Sequence, residues 1–159
     1  MTITFKQRIS PFTAERLEAI SKVLGDTTKG LTGSEIDHLL HNCDIPNLTP
    51  DMTKWKRLLN AFVEFQNEHL VGNHVAIFIK RAMDPARYVG EPHVFRTRRD
   101  RLNPVLAFCG YTLGDDGQLR RAALPKRSTK PLHGPTGYSK PNWWYKSLWA
   151  LIASICDGS

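Results

Sequence analysis

The chain has 159 residues, 41% apolar and 23% charged, with a formal charge of +7; it can bury a core without metal or disulfide and is not a disordered segment. Its three cysteines, Cys43, Cys109 and Cys156, are odd in number and widely spaced, which argues against a secreted disulfide scaffold. Met1 to Ser10 lacks the apolar stretch of a signal peptide and no run reaches the roughly 18–20 apolar residues of a membrane span, so a cytoplasmic protein with no transmembrane segment is expected.

The first predicted helix takes Ser10 as N-cap and Pro11 at its first position, aligns Leu17, Ile20 and Leu24, and stops at Gly25. The second starts at the capping box Thr32-Gly33-Ser34-Glu35, carries Ile36, Leu39, Leu40 and Cys43 at helical spacing, and ends before Pro46. The third follows Thr49-Pro50-Asp51, with Trp55, Leu58, Leu59, Phe62 and Phe65 as its stripe and Trp55 as a core anchor. For the fourth segment Asn73 is a cap and Phe78, Ile79, Ala82 and Met83 keep a helical period. A strand pair turning at Gly72-Asn73 is the alternative. A fifth helix spans about Pro92 to Cys109, and Pro104 should kink or split it. Asp116-Gly117 then marks the turn of a short hairpin.

The charge excess sits in the tail. Arg120, Arg121, Lys126, Arg127, Lys130, Lys140 and Lys146 face only Asp157, whereas residues 1–119 are near neutral. Residues 122–142 read as a Pro-rich basic linker. Residues 143–159 read as an apolar segment in which Trp143, Trp144 and Trp149 are the candidate partner-binding residues.

Two cationic clusters are candidate nucleic-acid contacts. Lys54, Lys56 and Arg57 crowd the start of the third helix, where cations oppose the helix dipole unless an anion is near. Arg96, Arg98, Arg99 and Arg101 form the second cluster, in which Arg98 and Arg101 are spaced to share a phosphate. For both, the alternative is a solvated helix face whose charges pair locally. His38, His41 and Cys43, even with His69 and His74, lack metal-ligand spacing, so no metal or cofactor is expected. No nucleophile elbow, phosphate loop or metalloprotease motif is present. Two ribonuclease-like Arg…His spacings, Arg87…His93 and Arg127…His133, contain prolines where that motif needs a helix.

Longer stretches carry a resemblance: Gly30-Leu31-Thr32-Gly33-Ser34-Glu35-Ile36, Met52-Thr53-Lys54-Trp55-Lys56-Arg57-Leu58, Ala82-Met83-Asp84-Pro85-Ala86-Arg87-Tyr88-Val89-Gly90 and Leu102-Asn103-Pro104-Val105-Leu106-Ala107-Phe108. With neighbouring segments they span roughly residues 12–121, and the region resembles the N-terminal part of the Ymh-type bacterial conserved hypothetical proteins. In longer members of that family a helical HEPN-type domain follows, of a kind found in defence and toxin ribonucleases. This sequence departs from the pattern after Arg121, so the family's ribonuclease residues have no counterpart here.

The expectation is therefore a mainly α protein. Residues 1–121 form a compact bundle of about five helices with helix-turn-helix character and a small C-terminal β-hairpin. The resemblance implies a non-enzymatic binding module of a bacterial defence or mobile-element system, with nucleic acid, a protein partner or a second copy as its ligand. A stand-alone ribonuclease or toxin is the alternative, and a dimeric interaction protein is a third reading.

Overall fold

The computed structural model describes residues 8–122. Five α-helices follow in order: α1 (Ala14–Leu24), α2 (Gly33–Asn42), α3 (Lys54–His69), α4 (Asn73–Ala82) and α5 (Pro92–Phe108). A 3-10 turn, Pro85–Tyr88, precedes α5, and strands β1 (Tyr111–Leu113) and β2 (Leu119–Arg121) follow it as an antiparallel pair, Thr112 opposite Arg120. The chain is thus the expected five-helix bundle with a two-stranded sheet at the end of the described part, and α2, its connection and α3 supply the helix-turn-helix-like element.

The core is one cluster to which every helix contributes. Leu17, Ile20 and Leu24 come from α1, Ile36 and Leu40 from α2, Leu58 and Phe62 from α3, Phe78 and Ile79 from α4, and Leu102 and Leu106 from α5. Phe62 and Phe78 meet edge to face at 5.0 Å between ring centroids, a favourable aromatic geometry. The fourth segment is a helix and not a strand pair. Its residues Val75 to Ile79 are all buried, a demand a half-exposed hairpin would not meet.

Local signals hold best at α2. The Thr32 hydroxyl accepts from the Glu35 amide, and the Glu35 carboxylate accepts from the Thr32 amide at 2.7 Å, which completes the capping box. At α1 the expected start moves: Thr13 is the N-cap, not Ser10. Tertiary bonds hold the preceding segment instead. The Phe12 amide donates to Gln66 Oε1 at 2.8 Å, Gln66 Nε2 donates to the Phe12 carbonyl at 2.7 Å, and the Ile9 amide donates to Asn73 Oδ1 at 2.8 Å. Asn73 consequently stands inside α4 and Gly72 is the cap residue. Pro104 does not split α5, which runs unbroken from Pro92 to Phe108 with that proline exposed. The neighbouring Asn103 side chain clamps Leu113, accepting from its amide at 2.7 Å and donating to its carbonyl at 3.1 Å.

Trp55 also departs from expectation. It is half-buried beside the core, its ring between Lys22 Nζ at 5.3 Å and Lys56 Nζ at 5.6 Å. Gly25 explains the displacement. A Cβ there would come within 2.5 Å of the Trp55 amide nitrogen, so the C-terminal end of α1 sits directly on the N-terminal end of α3. Leu58 is the first fully buried residue of the stripe.

Candidate functional site

The expected nucleic-acid contacts are distributed by the fold in a specific way. Lys54 opens α3 and points back across the α1–α2 loop. Its Nζ donates to the carbonyls of Asp26 at 2.7 Å, Leu31 at 2.8 Å and Thr27 at 3.3 Å. The dipole conflict seen in the sequence is thereby relieved by backbone carbonyls of the protein. Arg57 is buried. It pairs with Asp37 of α2 and donates through Nε to Asn47 Oδ1 at 3.1 Å, while Asn47 Nδ2 donates to Asp37 at 2.7 Å. The three residues join α2, the connection and α3. Of this cluster only Lys56 reaches solvent freely.

The arginine run of α5 behaves likewise. Arg98 is 8% exposed and donates to the carbonyl of Lys29 at 2.8 Å, to the Gly30 carbonyl, and to the Tyr88 hydroxyl at 2.9 Å. Arg101 binds the Asp26 carboxylate at 2.8 Å, so Arg98 and Arg101 do not converge on a shared anion but grip the α1–α2 loop from beneath. Arg99 pairs with Asp100 at 2.8 Å and with Asp115 of the hairpin turn. Arg96 is exposed and has no ion pair among the described residues. Asp26 is the centre of this arrangement. Its carboxylate accepts from the Lys29 amide, from Arg101 and from the Thr28 amide, and these bonds hold it well below the usual carboxylate range.

His69 and His74 approach to 6.0 Å between ring centroids, both against Phe65. Among the described residues no group of three or more potential ligands could hold a metal ion. His38 bonds Asn42 at 2.9 Å, and His74 contacts the Cys43 carbonyl at 3.2 Å and packs on Phe65. Burial pushes the Cys43 thiol up to about 11, away from thiolate reactivity. Arg87 lies in the 3-10 turn, bound to Glu35 at 2.8 Å, while His93 stands on α5, so the first ribonuclease-like spacing is divided between two elements. His93 and Glu91 line a cleft of about 430 Å³ against the α1–α2 loop, with no hydrogen bond between them. The second spacing and the tryptophans Trp143, Trp144 and Trp149 lie outside the described residues, as does nearly all of the proposed linker and tail.

One surface was not anticipated from the sequence. Between α1 and α3 runs a groove of about 420 Å³. Ala14, Leu59 and Val63 contribute its apolar helix walls, and Leu48 and Thr49 of the α2–α3 connection close one side. Leu48 is 54% exposed and Met52, on the same connection, 48%. Asn60 pins that connection to α3, donating to Thr49 Oγ1 and to Met52 Sδ, both at 3.3 Å. Two carboxylates, Glu18 of α1 and Glu64 of α3, line the groove and no Lys or Arg does. Glu18 keeps Lys22 at 2.7 Å, and Glu64 has no ion pair among the described residues. The only sequence signal was an apolar residue without a periodic role: Leu48 stands alone in the stretch Pro46-Asn47-Leu48-Thr49-Pro50.

Among the described residues no helix is long and apolar enough to cross a membrane. No family model matches the chain, no curated protein matches it, and no solved structure matches it.

Proposed function

We propose that this protein is a non-enzymatic binding module and that the groove between α1, α3 and the Leu48 side of the α2–α3 connection receives a protein partner. The observation that carries this reading is the unfilled apolar groove itself, lined by the half-buried Leu59 and Val63 and flanked by Leu48, a large apolar loop residue that is 54% exposed. The resemblance to Ymh-type proteins supports placing such a module in a bacterial defence or mobile-element system. Nucleic acid is the less favoured ligand because Lys54, Arg57, Arg98, Arg99 and Arg101 already have protein partners, which leaves Lys56 and Arg96 as the cations of the candidate set open to a phosphate.

A photo-crosslinking residue placed at Leu48, with the same residue at Val89 as control, tests the assignment in the native host. Val89 is 82% exposed and lies outside the groove. Defined protein adducts from position 48 that are absent from position 89 are the expected result. Adducts of equal yield and identity at both positions, or none at position 48, would remove the groove as the recognition surface. Tight, salt-sensitive binding of duplex or single-stranded nucleic acid, lost on removing Lys56 and Arg96, would favour the other ligand.

A further inference from the structure

The groove also has chemical character that narrows its partner, and we infer that it takes a helix whose apolar stripe is flanked by Lys or Arg. This rests on the reading of the groove as a recognition surface. Two walls are α-helices whose main-chain groups are spent within each helix and the third side is the Leu48–Thr49 connection, so the groove presents side chains and no strand edge. A partner seated there gains little from an extended backbone, because its own amides and carbonyls would lose water without finding a ladder to join. A helix satisfies its main chain internally and presents anchors at helical spacing, which match an apolar floor bounded by two helix surfaces. Charge gives the second half of the inference. Glu18 and Glu64 come from opposite walls; Glu18 meets Lys22 at 2.7 Å in an exposed pair that a partner's cation can replace, and Glu64 has no ion pair among the described residues. Basic residues on either side of an apolar stripe meet both carboxylates, whereas acidic ones meet like charge. Residues 1–119 are near neutral, so a preference for a basic partner would be a property of this site and not of the net charge around it.

The test uses the full chain and two fluorescein-labelled synthetic peptides in anisotropy titrations. Both carry leucines at helical spacing; one has lysines flanking the stripe and the other has glutamates at those positions. The lysine peptide is expected to bind more tightly, and its affinity to fall with added salt. A double variant, Glu18→Gln with Glu64→Gln, should weaken the lysine peptide roughly five- to tenfold, as two modest charge pairs would, and leave the glutamate peptide unchanged or improved. Leu48→Ser should weaken both. Equal binding of the two peptides, lost in Leu48→Ser but indifferent to the glutamine variant, would overturn the basic-helix inference and leave the groove reading standing. Lysine-peptide binding that survives Leu48→Ser unchanged, or no binding of either peptide, would overturn both. Circular dichroism of each variant, with a helical signal equal to that of the parent chain, separates lost binding from lost fold.

Discussion

The first turn of α3 and its middle two turns belong to one helix and reach opposite ends. At the first turn, Lys54 and Arg57 are cations that a reader of the sequence would offer to a ligand, yet one is closed on three carbonyls and the other on Asp37 and Asn47. In the middle, Leu59, Val63 and Glu64 look like ordinary amphipathic residues, yet they border a groove that nothing among the described residues fills. The difference lies in what faces each region. The α1–α2 loop offers backbone carbonyls with no helix or strand partners, and buried acceptors need donors. Among the described residues the groove faces only the short connection that carries Leu48, which is too small to cover it. Charge density in a sequence therefore marks where acceptors must be satisfied as readily as where a ligand binds.

The largest expected effect separates two arginines of α5. Arg98→Met removes the donors to Lys29, Gly30 and Tyr88, leaving acceptors under the loop without partners, and should cost about 3 kcal/mol of stability. Arg96→Met, two residues away and exposed, should stay within about 0.5 kcal/mol. Urea midpoints of the two variants read this directly. Equal losses would mean that the spent charges do not support the fold, and the comparison between the two regions would collapse.

The sequence carried the helices well and the uses of its cations poorly, for a physical reason. Helical period and caps are local, so Thr32 and Glu35, or Leu58 and Phe62, announce their roles within a few residues. Arg98 acts on a loop some 68 positions away, and Lys54 on carbonyls 23 to 28 positions away. Such pairings exist only after the chain has folded. The same holds where local reading went astray: Ser10-Pro11 is a sound start signal, but Gln66, 54 positions on, holds Phe12 outside the helix. Trp55 fitted the apolar stripe, and only the contact with Gly25 shows that α1 already occupies the space. Leu48 gave no pattern at all, because an exposed loop residue at a groove has neither period nor cap.

An intermediate effect is expected from acid. Hydrogen bonds from the Lys29 amide, Arg101 and the Thr28 amide depress the Asp26 carboxyl in the folded state relative to an ordinary aspartate near 4. Its contribution is then fully present above about pH 4 and is lost as pH falls from there toward the lower folded value. Asp116, held down to about 2 chiefly by its hydrogen bond from Arg120, acts in the same direction. Urea midpoints measured from pH 7 to pH 3 should fall, and Asp26→Asn should flatten that acid limb while lowering stability at pH 7. Parallel pH profiles for the parent and Asp26→Asn would show that the loop grip on Asp26 contributes nothing to folding.

The smallest effect on stability belongs to the groove, and it separates the two regions most sharply. Lys54→Met deletes charge-assisted bonds to three carbonyls and should cost about 2 kcal/mol. Leu48→Ser removes a leucine that is 54% exposed, touches solvent over most of its surface and closes no buried gap, so the cost should be at most about 0.5 kcal/mol. A loss of that size is what a residue kept for contact with a partner predicts, since its apolar area is buried only in the complex. Matched urea titrations of the two variants decide the matter. If Leu48→Ser lost as much as Lys54→Met, Leu48 would be a structural plug over Leu59 and Val63, and its side of the groove would be explained by folding alone.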